Sequence, residues 1–287
     1  MSKMPVISYL IVLVCIVVYY FQYQSDLSFE ANSSSFCHQL QKNKMPDAMD
    51  KMVADQYLCQ QILKRIEERP DLTVEEIINE YFWFQDLTAL QINKLTAFIK
   101  QHYARYNDRY PAHIDKDLMY FPETLNPVKM LTSSLAHADI WHIAGNIIFF
   151  LAFAPAIEIL LASAWLYIAS CLIIIVSTSI AYTVSVFVMA DSLPALGLSG
   201  LVMGMMGLFA ALMPREKIKV FIWLLFFVRN ISVPAWILAL WYIGLDSLDL
   251  LLGTGDPSIN LVAHVSGGVT GYLLGHIWLK TDRLKTI

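Results

Sequence analysis

Along the 287-residue chain, apolar positions gather in six segments, and one long stretch between the first and second of them has the polarity of a water-exposed domain. Most of these segments approach or exceed the roughly 20 residues that a helix needs to cross a bilayer core. The first covers about Pro5 to Phe21. Bulky Val17, Val18, Tyr19, Tyr20 and Phe21 stand where a cleavable signal needs small residues, so this run reads as an uncleaved first span. The other five follow from Ile140 onward, at about 140–157, 164–188, 196–213, 233–250 and 259–279. Val220 to Phe227, followed by Arg229 and Asn230, is apolar but too short to cross. It lies in the interface, forms a short hairpin before Pro234, or lengthens span five.

The polar stretch from Gln24 to Pro127 carries 11 Lys/Arg against 16 Asp/Glu. Met49, Met52, Val53, Leu58, Ile62, Leu63 and Ile66 recur at helical spacing within Asp47–Glu68. Thr73 and Glu76 form a capping box that opens a second helix through Tyr81 and Phe82, and a third pattern runs from Leu87 to Tyr103. Pro111, Pro122 and Pro127 punctuate the return to the apolar part. The expected organisation is a first span (1–23), a small helical domain (24–127), a membrane core (128–280) and a short tail (281–287).

Composition agrees with a membrane protein: 57% of residues are hydrophobic, above the roughly 45–50% of soluble domains. A net charge of -4 without a basic block argues against nucleic acid as a partner. Arg215, Lys217 and Lys219 lie between spans four and five, and Lys280, Arg283 and Lys285 follow span six. The positive-inside rule puts both groups, and Lys3, in the cytoplasm, with the acidic domain outside. Both termini are then expected to be cytoplasmic.

Polar side chains are costly within a bilayer, and the few here are candidates for function. His142, Asn146 and Glu158 fall in span two, Ser199 opens span four, and His264 lies in span six. In the orientation above, these three spans start at the outer face, and His264 and Asn146 sit roughly 7–8 Å deep at the helical rise. Gly200 and Gly204 on span four, and Gly267, Gly271 and Gly275 on span six, form stripes that let helix backbones approach closely. Such packing would carry the Ser199 hydroxyl to the His264 imidazole, which has the pKa to serve as its base. His142 and Asn146 share a helical face and can donate to a developing oxyanion, as can the Ser199 backbone N–H. No acidic third member is evident in this layer. Asp246 and Asp249, near the outer end of span five, read as interfacial, and the expectation is a dyad.

Gly197-Leu198-Ser199-Gly200, His142-x-x-x-Asn146 and Ala263-His264-x-x-Gly267-x-x-x-Gly271 together resemble the rhomboid family of intramembrane serine proteases, in its bacterial form. The resemblance covers about residues 128–280, and the upstream His137 and Glu158 fit it too. It implies a six-helix all-α membrane bundle that hydrolyses a peptide bond in or beside a substrate's transmembrane segment. Ser199 and His264 would be catalytic, and His142, Asn146 and Ser199 would form the oxyanion hole. Gly197, Gly200, Gly204, Gly267, Gly271, Glu158 and His137 would support the site, with no metal and no cofactor. The expected setting is the bacterial inner membrane, with transmembrane substrates and the bilayer as partners and a site facing the extracytoplasmic side. Two departures stand out: Val128 and Lys129 replace a frequent Trp-Arg pair, and Met203 replaces a frequent aromatic residue four positions after the serine. The 24–127 domain lies outside the resemblance, and substrate capture or partner binding is its expected role.

A catalytically dead relative should have lost Ser199 or His264, and this chain retains both. A transporter would leave the outer-layer clustering unexplained, and no inverted repeat is evident. His38, His102, His113 and His276 are dispersed and suggest no metal site. Cys37 and Cys59 are expected to form a disulfide in the outer domain, whereas Cys15 and Cys171 lie in spans.

Overall fold

The computed structural model describes residues 4–42, 56–69, 72–82, 88–189, 193–224, 227–255 and 259–279. Lys3, the stretch 47–55, Leu87, and the basic residues from Lys280 onward lie outside them. Two compact units emerge, one of residues 1–19 with 118–287, and one of residues 20–117. Helix α1, Val6–Lys42, contributes to both. No glycine or proline interrupts its sequence, so nothing local ends the helix where the first apolar run gives way to polar residues.

The larger unit is an apolar helical bundle. After a short helix α6, Pro127–Ser133, come α7, Ile140–Leu161; α8, Ala164–Met189; α9, Ser199–Leu212; α10, Ala235–Leu252; and α11, Leu261–Leu279. With the start of α1 these make six principal helices. Four helices, α1, α7, α8 and α10, have the length and apolarity to cross a membrane, and the chain is an integral membrane protein. Helix α9 has only 14 residues, and every residue from Gly200 to Ala211 is buried. A helix that is apolar all round belongs at the centre of a bundle, and α9 packs on α7, α8, α10 and α11.

The glycine stripes fix how α9 meets α11. A Cβ on Gly267 would overlap the carbonyl oxygen of Gly200, one on Gly271 that of Gly204, and one on Gly275 would meet Leu208 and Ala211. The pairs advance in step, so the helices run parallel with their backbones in contact. Gly204 also admits Ile174 of α8, and Gly200 lies against Thr178. Ser177 of α8 donates to Thr270 of α11 (3.0 Å), and the Trp278 indole donates to Ser170 (3.0 Å).

Glu158 has a structural task of its own near the end of α7. Its carboxylate accepts from the backbone N–H groups of Ile7 (2.9 Å) and Ser8 (2.7 Å) and from the Ser8 hydroxyl (2.7 Å). These N–H groups belong to the first turn of α1, where a helix leaves its donors unpaired and favours negative charge. The Ser8 hydroxyl also meets Tyr167 (2.8 Å).

The apolar segment before Pro234 forms an antiparallel hairpin of β1, Lys217–Leu224, and β2, Phe227–Pro234, with Lys217 opposite Pro234 and Leu224 opposite Phe227. It therefore does not lengthen span five, which starts at Ala235. This two-stranded ribbon is the departure from helix among the described residues.

In the smaller unit, α2 (Gln56–Glu68), α3 (Val74–Phe82), α4 (Ala89–Arg109) and α5 (Asp115–Leu118, reaching one residue past the unit) follow the end of α1. Ile62 and Ile66 of α2, Ile77, Ile78 and Phe82 of α3, and Leu95 and Ile99 of α4 form one core cluster. Phe29, Phe36, Leu63 and Tyr106 gather around Cys37 and Cys59, which are joined in a disulfide with Cα atoms 5.9 Å apart. Thr73 and Glu76 make the capping box, the Glu76 carboxylate accepting from Thr73 N (2.7 Å). Thr88 and Gln91 make a second one at the start of α4.

Candidate active site

Helix α7 starts at the N-cap Asp139, whose carboxylate accepts from the backbone of Trp141 (2.7 Å) and His142 (2.9 Å). This fixes the first turn, and the face carrying Ile143, Asn146, Phe150 and Phe153 turns into the bundle. Asn146 is buried, and its side-chain amide donates to the carbonyl of His142 (3.0 Å). His137 is also buried; its Nδ1 lies 3.2 Å from the carbonyl of Leu135, and its ring meets that of His142 edge-on, centroids 5.2 Å apart.

The segment leading to Ser199 is held by backbone. Ala195 exchanges two hydrogen bonds with Tyr120 (2.9 and 3.0 Å), and Gly197 N–H donates to the carbonyl of Ser133 (2.8 Å). The latter tether joins α6 to the serine loop. Asn126 caps α6 by accepting from Val128 N (3.0 Å) and Lys129 N (3.3 Å), so this cap and the Gly197 tether hold the loop at the position of the missing Trp-Arg pair. Gly197 adopts φ +116°, and a Cβ there would lie 2.8 Å from Cε1 and Nε2 of His142 and 3.9 Å from Nδ2 of Asn146. The nitrogen-bearing edges of both side chains thus reach the backbone two residues before Ser199.

Ser199 is the first residue of α9. The cap position falls to Leu198, and no side-chain cap bond is made. The hydroxyl is therefore not used as a helix cap, and the free N–H groups of the first turn lie beside it. Ser199, Gly197 and Gly200 line a cavity of about 50 Å³ with Ser133, Thr178 and Asn260. Asn260 begins α11, its side chain accepting from Ala263 N (2.9 Å) and its carbonyl from His264 N (3.1 Å). His264 lies on α11 one turn before Gly267, the glycine that meets the Gly200 carbonyl.

No hydrogen bond links Ser199 Oγ to His264 among the described residues; such contacts are often long in a free enzyme and tighten when substrate binds. The imidazole instead has its Nδ1 2.8 Å from Oδ2 of Asp246 on α10. This corrects the reading of Asp246 as interfacial. Asp249 does serve a turn: its carboxylate accepts from the Thr254 hydroxyl (2.9 Å) and its carbonyl from Thr254 N. Gly268 reveals why Asp246 reaches the site. A Cβ at Gly268 would overlap Ile243, so α10 packs into that gap and Asp246, one turn farther along, comes opposite His264. Met203 is buried within the bundle core.

In the smaller unit, Asp26, His113 and Asp115 bring ligand-type atoms within 4.8 Å of one another. They are engaged locally, His113 Nε2 with Asp26 (2.8 Å) and Asp115 with the Gln22 amide (2.7 Å).

The fold is that of a polytopic α-helical membrane protein, with His142, Ser199 and His264 in the first turns of three of its helices. Residues 125–281, more than half of the chain, match the rhomboid domain. The chain belongs to the rhomboid family of intramembrane serine proteases, hydrolases that act on transmembrane substrates within the bilayer. No curated protein and no solved structure matches it.

Proposed function

We propose that this chain is a serine endopeptidase that cleaves proteins in or next to their transmembrane segments, with Ser199 as nucleophile and His264 as general base. The observation that carries the reading is the arrangement around Gly197 and Ser199: His142 and Asn146 abut Gly197 from α7, Ser199 follows two residues on, and α11, which bears His264, packs backbone to backbone on the helix that Ser199 opens. Ser199 Oγ attacks the scissile carbonyl as His264 Nε2 takes its proton. The oxyanion is held by His142, Asn146 and the Ser199 N–H. Collapse of the tetrahedral intermediate breaks the C–N bond, the imidazolium protonates the leaving amine, and water then hydrolyses the acyl-enzyme by the same base.

The setting we assign is the bacterial inner membrane, and the distribution of Lys and Arg supports cytoplasmic termini and a site opening to the extracytoplasmic side. Residues 24–127 would then stand outside, and the disulfide suits that compartment. Capture of a substrate or partner is the role we assign to this domain. The test is cleavage of a transmembrane reporter by the purified protein. Ser199→Ala and His264→Ala are each expected to abolish turnover, and undiminished cleavage by either sinks the assignment.

A further inference from the structure

We infer that Asp246 is a positioning residue for the base: its carboxylate fixes His264 as the Nδ1–H tautomer and turns Nε2, with its lone pair, toward Ser199. The site then works as a Ser-His-Asp triad. The inference rests on the roles proposed above for Ser199 and His264.

An ionised carboxylate has no proton to give, so in the 2.8 Å contact between Asp246 Oδ2 and His264 Nδ1 the imidazole donates. A neutral imidazole carries one N–H, and fixing it on Nδ1 leaves Nε2 as the acceptor that a general base requires. When the Ser199 proton moves to Nε2, the new positive charge forms against the carboxylate. Asp246 keeps no proton at any step; it orients the ring and stabilises the imidazolium. The bond is sheltered, the two side chains being 17% and 22% exposed, so less water competes for it than at an open surface. The pair is also anchored independently of itself. Ile243 seated on Gly268 sets the α10–α11 register, and Asn260 fixes the first turn of α11. Asp249 is committed to its turn, so Asp246 is the acid that serves the histidine.

The test uses the full chain in detergent and in vesicles with a fluorogenic transmembrane reporter, comparing wild type with Asp246→Asn and Asp246→Glu. Asp246→Asn keeps the shape and removes the charge. It should lower kcat at least about tenfold, a part of the roughly 10²–10⁴-fold that acid–base catalysis supplies, with KM unchanged. Asp246→Glu should recover most of that loss. In ¹⁵N-histidine spectra of the wild type, the resonances missing from His264→Ala should show the Nδ1–H form. A wild-type kcat in folded Asp246→Asn overturns the inference. So does an Nε2–H tautomer for His264 in the wild type, which decides the matter even where variants fail to fold. Retained cleavage by Ser199→Ala or His264→Ala would instead overturn the active-site reading itself, a result the Asp246 variants cannot mimic.

Discussion

At Gly197 the backbone holds φ +116°, which L side chains rarely adopt, and the absent Cβ leaves room for the His142 ring and the Asn146 amide. Gly197→Ala meets both constraints. We expect about 1–3 kcal/mol of backbone strain and displacement of His142 from the oxyanion position proposed for it. Reporter cleavage should fall by about 10²–10³-fold, the usual effect of losing one oxyanion donor, while the variant still inserts and binds substrate. Steady-state kinetics on the purified variant would check this. At this scale the sequence is informative where polarity is costly: Ser199, His264, His142 and Asn146 stand out because few polar residues share their apolar surroundings. Asp246 does not, because an acid near the end of a span is ordinary. Its partner depends on the α10–α11 register, which is set by Ile243 and Gly268 and has no local signature.

The glycines of the bundle differ in what surrounds them, and the contrast makes a prediction for helices as units. A methyl on Gly271 would run into the carbonyl of Gly204, so Gly271→Ala must push α9 and α11 apart. Gly145, on α7, has nothing within 4 Å of its Cβ position. We expect Gly271→Ala to cost about 1–3 kcal/mol and Gly145→Ala to be near neutral, read from thermal unfolding in one detergent. Helix positions in the core were legible from apolar runs, and the Thr73 cap from its partner three residues on. The continuity of α1 was harder to read, since its later turns are polar and draw on contacts such as Phe29 and Phe36 against Tyr106. The hairpin was one of several open alternatives because a short apolar run lacks a decisive period.

For the whole molecule, the rhomboid match starts at residue 125 and leaves the 20–117 unit outside it. Its physics still yields a test. Burial alone would lower the His113 pKa, but the Asp26 hydrogen bond and the charges of Asp115, Asp26 and Glu67 raise it above 6.5. Protonated His113 therefore stabilises the fold below pH 6.5, and that contribution is lost as pH rises through the folded value. Burial lowers the His102 pKa, so its opposite effect lies below 6.5 and leaves the upper window to His113. The temperature at which this unit becomes protease-sensitive should fall as pH rises above about 6.5, and Asp26→Asn should flatten the change.

Because α9 and α11 touch backbone to backbone, Ser199 and His264, the nucleophile and base proposed above, are carried by helices aligned through main chain rather than through adaptable side chains. Misalignment then has no small increments. The glycine stripes repeat every four residues, so the next register lies about 6 Å away, too far for proton transfer. When bilayer thickness changes and helices tilt to match it, these two must tilt as one body. The distance that chemistry depends on is thereby insulated from the membrane in which it operates.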